Sequence, residues 1–370
     1  MSGFWADKHV VVTGGNGFLG STVVRQLAEE GPRRVTCPTS SEFDLRRLDD
    51  VEAMFESLEP DLVIHLAARV GGIGANMARP GDLYIDNLLM GTYVIDVARR
   101  RGTPKTVVLG TICSYPKFTP VPFNEDSLWT GYPEETNAPY GIAKLAQLTQ
   151  IRANREQFGQ SAIYLLPTNL YGPGDKFNPA VSHVIPALIK KAVDAKESGS
   201  DHIDVWGTGS ASREFLYVDD AAAAILLAAQ RYDDAAPVNL GTNEEMPIRD
   251  LVTLICELVG FDGEVRWDTS KPDGQPRRRV DPSRPRPLSG SRRWSTSARA
   301  YDGPSTGMSR TARKPRPAPS EARAIRGSPF GAVRSVRHTG PARLRSTQST
   351  LARAALSISS SSGAMMTGGQ

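Results

Sequence analysis

Cysteine and histidine are scarce: three and five in 370 residues, too few for a disulfide framework or a histidine- and cysteine-rich metal centre. No apolar run approaches the roughly 20 residues that span a bilayer. Met1 to Lys8 lacks the charged-then-apolar layout of a secretory signal. A cytoplasmic protein without metal or membrane partners is therefore expected, with Cys37, Cys113 and Cys256 as free thiols. Net charge is also scant, +4 in all, but that figure joins two unlike pieces. Residues 281–370 hold 16 Lys and Arg against three Asp and Glu, a net +13, while residues 1–280 hold 28 against 37, a net −9.

What is present, up to about residue 270, is an alternation of short β-branched runs with longer stretches of helical period. The expected strands are His9–Thr13, Arg34–Cys37, Leu62–Leu66, Thr106–Leu109 and Ala162–Leu166. The expected helices between them are Phe18–Glu30, Val51–Leu58, Leu83–Arg101 and Tyr140–Phe158. Short strands joined by crossover helices predict an α/β fold, a Rossmann-type doubly wound parallel sheet. After Pro167 the texture becomes rich in Gly, Pro and Asn, with helices expected at Val184–Ala195 and Asp250–Leu258. The division expected is a sheet domain over 1–167, a smaller substrate lobe over 168–280 and a basic tail over 281–370. Val205-Trp206 and Phe215–Val218 are read as strands by which the lobe returns to the sheet.

The tail contains 17 Ser and 9 Pro without a sustained period, the composition of a disordered segment. A nucleic-acid-binding arm is one reading, and not the preferred one. Regrouping each codon from Gly290 to Gly307 as its last base plus the first two of the next permits the string FEAVVDFREGLRRTVDW, an amphipathic helix. Third bases are free to choose, but Trp294 already forces a codon ending in TG, read as Val, Leu or Met. We hypothesise a frameshift near residues 281–289. The coding DNA tests it: if no single-base slip restores the helix, the tail is a natural extension.

Chemistry concentrates in a few segments. Val10 to Gly20 places Gly14, Gly17 and Gly20 after a strand and at the start of a helix. A turn without Cβ atoms lets a pyrophosphate reach backbone N–H groups, and the helix N-terminus adds partial positive charge, so a dinucleotide site is expected. The second strand ends Val35 to Ser41 without an Asp or Glu to hold a ribose 2′-hydroxyl. NADP is therefore expected over NAD, although no Arg follows that strand to grip the 2′-phosphate. Tyr140 and Lys144, four apart, share one helix face, where a cation favours the phenolate and lets the tyrosine exchange a proton with a carbonyl oxygen. Thr111, after the fourth strand, completes a catalytic set.

These features resemble the extended short-chain dehydrogenase/reductase family of nucleotide-sugar enzymes, over about residues 8 to 280. The likeness tightens at His65 to Ala68, Val70 to Ile73, Gly110 to Lys117, Pro167 to Pro173, Ser182 to Pro186 and Arg213 to Asp220, where the chain is similar to the GDP-L-fucose synthase family. That resemblance implies a homodimeric epimerase-reductase that inverts C3 and C5 of GDP-4-keto-6-deoxy-D-mannose and reduces its C4 ketone with NADPH. It implies acid-base roles for Cys113 and His183, residue types that titrate near neutral pH. Implied cofactor contacts, besides Tyr140, Lys144 and His183, are Gly14, Asn16, Gly17, Phe18, Leu19 and Gly20, then Leu66, Ala67 and Ala68, then Pro167, Asn169 and Leu170. Implied contacts to the GDP-sugar are Asn169, Lys191, Trp206 and Arg213, with Lys190 a further cation in a matching position. Thr111 departs from the Ser that family members commonly carry, but keeps the hydroxyl. A nucleotide-sugar 4-epimerase, a 4,6-dehydratase and a non-catalytic dinucleotide-binding protein with a nucleic-acid-binding tail are the alternatives. The Thr111-Ile112-Cys113 segment offers no acid for dehydration, and a 4-epimerase would show no net NADPH consumption.

Overall fold

Val10, Val11 and Val12 are fully buried, which requires helices on both faces of the strand that carries them. The computed structural model describes residues 3–178 and 182–284, the Ile73 side chain excepted. Residues 285–289 of the suspected frameshift segment and nearly all of the tail lie outside them. In chain order the first elements are β1 (His9–Thr13), α1 (Phe18–Glu29), β2 (Arg34–Thr36), α2 (Leu48–Leu58), β3 (Leu62–His65), α3 (Ile73–Ala78) and α4 (Pro80–Arg100). Then come β4 (Lys105–Leu109), α5 (Ala138–Phe158) and β5 (Ala162–Pro167). Pro139 in its first turn and Gly159 in the left-handed conformation (φ 70°) delimit α5. The differences from the expected boundaries are small: Cys37 and Leu66 fall just outside their strands, and α4 begins at Pro80.

The second half contributes β6 (Asn169–Tyr171), α6 (Val184–Ser198), β7 (His202–Trp206), β8 (Ser212–Arg213), β9 (Phe215–Tyr217), α7 (Val218–Arg231) and β10 (Val238–Leu240). It closes with β11 (Met246–Pro247), α8 (Ile248–Val259), β12 (Glu264–Asp268) and β13 (Arg277–Arg278). Six parallel strands form the main sheet in the order β10-β5-β4-β3-β1-β2, so the chain reverses direction across the sheet at β1 and β3. In open α/β sheets that switch point, at the carboxyl ends of the strands, is where ligands bind. One face is covered by α1 and α7, whose Val23, Leu27, Ala221, Ala222 and Ile225 share a core with Val10, Val12 and Ile64. The other is covered by α2, α4 and α5 through Val51, Phe55, Val94, Ile95, Leu148 and Ile151. Each such fully buried side chain contributes about 1.5–3 kcal/mol.

The strands read as returning to this sheet do not join it. Val205 and Trp206 lie in β7, which pairs with β12, and Phe215–Tyr217 pairs with β6. The returning strand is β10, paired with β5, and Val218 opens α7 instead of ending a strand. The alanine-rich stretch from Ala221 to Ala229 lets α7 pack closely on α1, which carries the chain back to the sheet edge. A second core, built from α6, α8, β7 and β12 around Ile189, Val205, Leu251 and Phe261, forms the smaller lobe. All described residues belong to one compact unit.

Candidate active site

The site begins where β1 runs into α1. Gly14 has φ 72°, and a Cβ there would lie 2.7 Å from the Ala67 backbone nitrogen; a Cβ on Gly20 would collide with the Gly14 carbonyl oxygen. Gly17 caps α1 in extended conformation and donates its N–H to the Gly14 oxygen (3.0 Å). The turn thus brings bare backbone against β3 and leaves a helix N-terminus open to the cleft, the cradle a pyrophosphate requires. Behind it, fully buried His65 shares a hydrogen bond with the Thr13 hydroxyl (2.8 Å). Burial and the charge of Lys144 hold that imidazole neutral, its pKa pushed down to about 3. His9 bonds Thr36 and His202 bonds Asp201, so neither histidine is drawn into the cleft.

The β4 strand delivers Thr111 at its carboxyl end, where the Thr111 hydroxyl accepts from the Cys113 N–H (3.2 Å) and starts a short 3-10 turn, Ile112–Ser114. The turn packs tightly on α5: a Cβ on Gly141 would strike the Cys113 carbonyl, and Ser114 Oγ donates to the Gly141 oxygen (2.9 Å). That close approach sets Tyr140 beside Thr111 and Cys113. Burial pushes the Tyr140 phenol well up, the Cys113 charge adds to it, and the Thr111 hydrogen bond opposes both. Lys144, one turn on, is 2% exposed and its ammonium is depressed to about 8 by burial.

These residues line one cleft of about 1340 Å³. Gly14, Asn16, Gly17, Phe18, Leu19 and Gly20 form one end; Leu66, Ala67, Ala68, Pro167, Asn169 and Leu170 follow along the strand ends; Thr111, Cys113, Tyr140 and His183 line the same cleft. Lys191, Trp206 and Arg213 line the end that the smaller lobe supplies. Lys144 is the exception among the expected site residues: it lies behind the wall, enclosed by the helix packing. Lys190 also falls outside the cleft, where it pairs with Asp194 one helical turn away (2.8 Å). Neighbouring Lys191 points inward, its Nζ donating to the Asp204 carbonyl (2.8 Å), because consecutive helical positions face different ways.

The family model for the NAD dependent epimerase/dehydratase family matches residues 10–241. The chain belongs to that family. It is 46% identical over 275 residues to GDP-L-fucose synthase 1 of Arabidopsis thaliana, covering 74% of this chain and 85% of that one. It is 40% identical over 277 residues to the GDP-L-fucose synthase of Sinorhizobium fredii, covering 75% and 88%. Among solved structures, a GDP-L-fucose synthetase from Naegleria fowleri bound to NADP shows 30% identity and a TM-score of 0.68 over 76% of this chain and 87% of that chain.

This epimerase/dehydratase cleft also holds residues that sequence reasoning missed. Arg46 lines it near Thr39 and Ser40, held by Asp44 (2.6 Å) and reaching Asp86 (3.7 Å). Arg33, nearer to β2, pairs outside with Asp61 (2.9 Å). The cation that the segment after β2 lacks is present in the cleft lining as Arg46, ten residues beyond the strand. Asn137 accepts from the Cys113 thiol (3.8 Å) and from Asn76 (2.9 Å), and donates to Glu134 (2.6 Å). Arg278 reaches Cys113 from the far side. Its signal was hidden in the run Arg277 to Arg279, which reads as surface charge until β13 turns alternate side chains to opposite sides. Arg277 pairs outside with Glu245 (2.6 Å), whereas Arg278 is buried. Among the described residues, no group of three or more His, Cys, Asp or Glu could hold a metal ion, and no helix is long and apolar enough to cross a membrane.

Proposed function

We propose that this chain converts GDP-4-keto-6-deoxy-D-mannose to GDP-L-fucose, by epimerisation at C3 and C5 and NADPH-dependent reduction at C4. The presence of Cys113, His183, Thr111 and Tyr140 in the lining of one cleft carries the reading. The glycine cradle fits a dinucleotide, and the absence of a carboxylate from Cys37 to Ser41, with Thr39, Ser40 and Arg46 lining the cleft, favours NADPH. Bound there, the reduced dinucleotide supplies a hydride to C4.

The chain's own groups do the rest. The ketone acidifies the flanking C–H bonds. The Cys113 thiolate takes one such proton, the C–H electron pair moves onto the C4 oxygen, and Thr111 and Tyr140 hydrogen-bond that oxygen. His183, at the N-terminus of α6, returns a proton to the opposite face, and exchange with water resets both groups. In the reduction, the Tyr140 hydroxyl would give its proton to the C4 oxygen, with the Lys144 ammonium buried one helical turn behind it. Arg213 and Lys191, with Trp206 and Asn169, receive the GDP. A cytoplasmic homodimer completes the proposal, supported by the family resemblance alone; sedimentation of the purified chain at twice the monomer mass is expected.

The test follows loss of NADPH absorbance with the keto-sugar, on this chain and on one whose reading frame is restored after residue 280. Oxidation by both supports the assignment and makes the tail dispensable. Oxidation by the restored chain alone supports the assignment and assigns a cost to the tail. Silence in both sinks it, and interconversion without net oxidation would instead identify a 4-epimerase.

A further inference from the structure

Two arginines, Arg278 buried and Arg213 half-buried, flank Cys113 without an ion-paired carboxylate among the described residues. Arg213 on β8 and Arg278 on β13 are register partners in a parallel pair. Arg213 donates to the Ser212 carbonyl (2.7 Å) and the Asp273 carbonyl (3.0 Å), and its guanidinium is depressed to about 10 by burial first and by the Arg278 charge second. Arg278 is 7% exposed. Its Nε donates to Gln275 Oε1 (2.9 Å), and Gln275 Nε2 donates to the Lys117 carbonyl (2.8 Å), four residues after Cys113. The guanidinium is therefore braced against the loop that carries the thiol. Its Nη1 lies 3.7 Å from Cys113 Sγ.

The sulfur thus sits between a donor and an acceptor. Asn137 Oδ1, 3.8 Å away, can only accept, and so suits the protonated thiol; Arg278 can only donate, and so suits the thiolate. Asn137 is itself tied to Glu134, whose carboxylate is turned to Thr136 and Asn137 and is the negative group facing both arginines. Tyr140 is a further titratable neighbour of the sulfur. A desolvated guanidinium beside a thiol and lacking its own carboxylate is stabilised when the thiol gives up its proton.

We propose that Arg278 is a positioning residue for Cys113: it holds the thiolate ready for proton abstraction and so governs the epimerisation half of the reaction, not the hydride half. This rests on the epimerase-reductase reading for its consequence in turnover, but not for its effect on the thiol. The proton lost by Cys113 goes to water, and no other reactant is needed.

Site-resolved alkylation by iodoacetamide, read by peptide mass so that Cys37 and Cys256 are scored separately, tests the thiol directly. Arg278→Gln is expected to slow labelling of Cys113 at neutral pH about tenfold or more, the effect of removing an opposite charge at this range. Arg278→Lys should recover most of the rate, and NADPH affinity, which also reports folding, should hold in both. With the keto-sugar in heavy water, Arg278→Gln should lower deuterium incorporation beside the ketone in kcat and leave KM little changed. Unchanged labelling, or a loss confined to KM, overturns the proposal, the latter assigning Arg278 to the substrate's phosphates. Slower labelling in the variant, with no deuterium incorporation by the unsubstituted chain, would uphold the thiol inference and reject the function on which its consequence rests.

Discussion

The two ends of the cleft are built differently. The end at β1 and α1 is backbone: Gly14 approaches Ala67 and Gly20 approaches Gly14 so closely that a Cβ on either has no room, and the sheet register fixes their place. The end supplied by the smaller lobe is side chain: Lys191, Trp206 and Arg213 come from a helix and two short strands outside the main sheet, and Trp206 is 50% exposed. The first end offers shape and backbone N–H groups; the second offers charged side chains and an exposed indole. Tyr140 and Cys113 stand where the two meet. Substitutions should therefore fail differently at the two ends.

The largest effect belongs to the junction. Tyr140→Phe should cut NADPH-dependent reduction by about 10²–10⁴-fold, the usual worth of a general acid, with NADPH affinity nearly unchanged; a small loss measured by steady-state kinetics would remove Tyr140 from the chemistry. At the backbone end, Gly14→Val forces a branched residue to φ 72° against Ala67, costing about 1–3 kcal/mol of strain. Urea unfolding should show that cost, and dinucleotide titration should show affinity lost outright; intact NADPH binding would break the comparison.

Lys144 tests burial itself. Its ammonium, near 8 in the fold against 10.5 when free, is penalised by roughly 3 kcal/mol at neutral pH. Between about pH 8 and 10.5 the unfolded chain holds a proton that the folded one has released, so this penalty is full below pH 8 and fades as pH rises. Lys144→Met should thus resist urea better than the parent at pH 7, with the gap closing toward pH 10.5, while catalysis falls. A gap that widened with pH would show the lysine is not buried as a cation. At the side-chain end, Arg213→Ala should raise KM for the GDP-sugar about tenfold or more, the loss of charged hydrogen bonds worth about 1.5–3 kcal/mol, with folding and NADPH affinity kept. Loss of NADPH affinity in that variant would mean the two ends are not separable.

Most of the backbone end was legible in the sequence, because a glycine spacing between a β-branched run and a helical period is local information. Tyr140 and Lys144 were legible for the same reason, being one helical turn apart. The side-chain end was legible only through resemblance, and imperfectly: Lys190 and Lys191 are indistinguishable as neighbours in sequence, and only the packing of α6 sends one to Asp194 and the other to the cleft. Val205-Trp206 and Phe215–Tyr217 read rightly as extended but were joined to the wrong sheet, since pairing partners are a long-range choice that a short strand does not advertise. Arg46 and Arg278 were invisible, one in a loop well past the strand and one in a run of like residues.

By itself, then, the sequence determined the elements whose cause is local: strand and helix periods, the glycine turn, and the Tyr140 to Lys144 spacing, each set by backbone sterics within a few residues. Only the tertiary structure decided which cation faces Cys113, which lysine enters the cleft and which strand closes the sheet, because burial and hydrogen-bond satisfaction are settled between segments far apart in the chain, as Arg278 and Cys113 are.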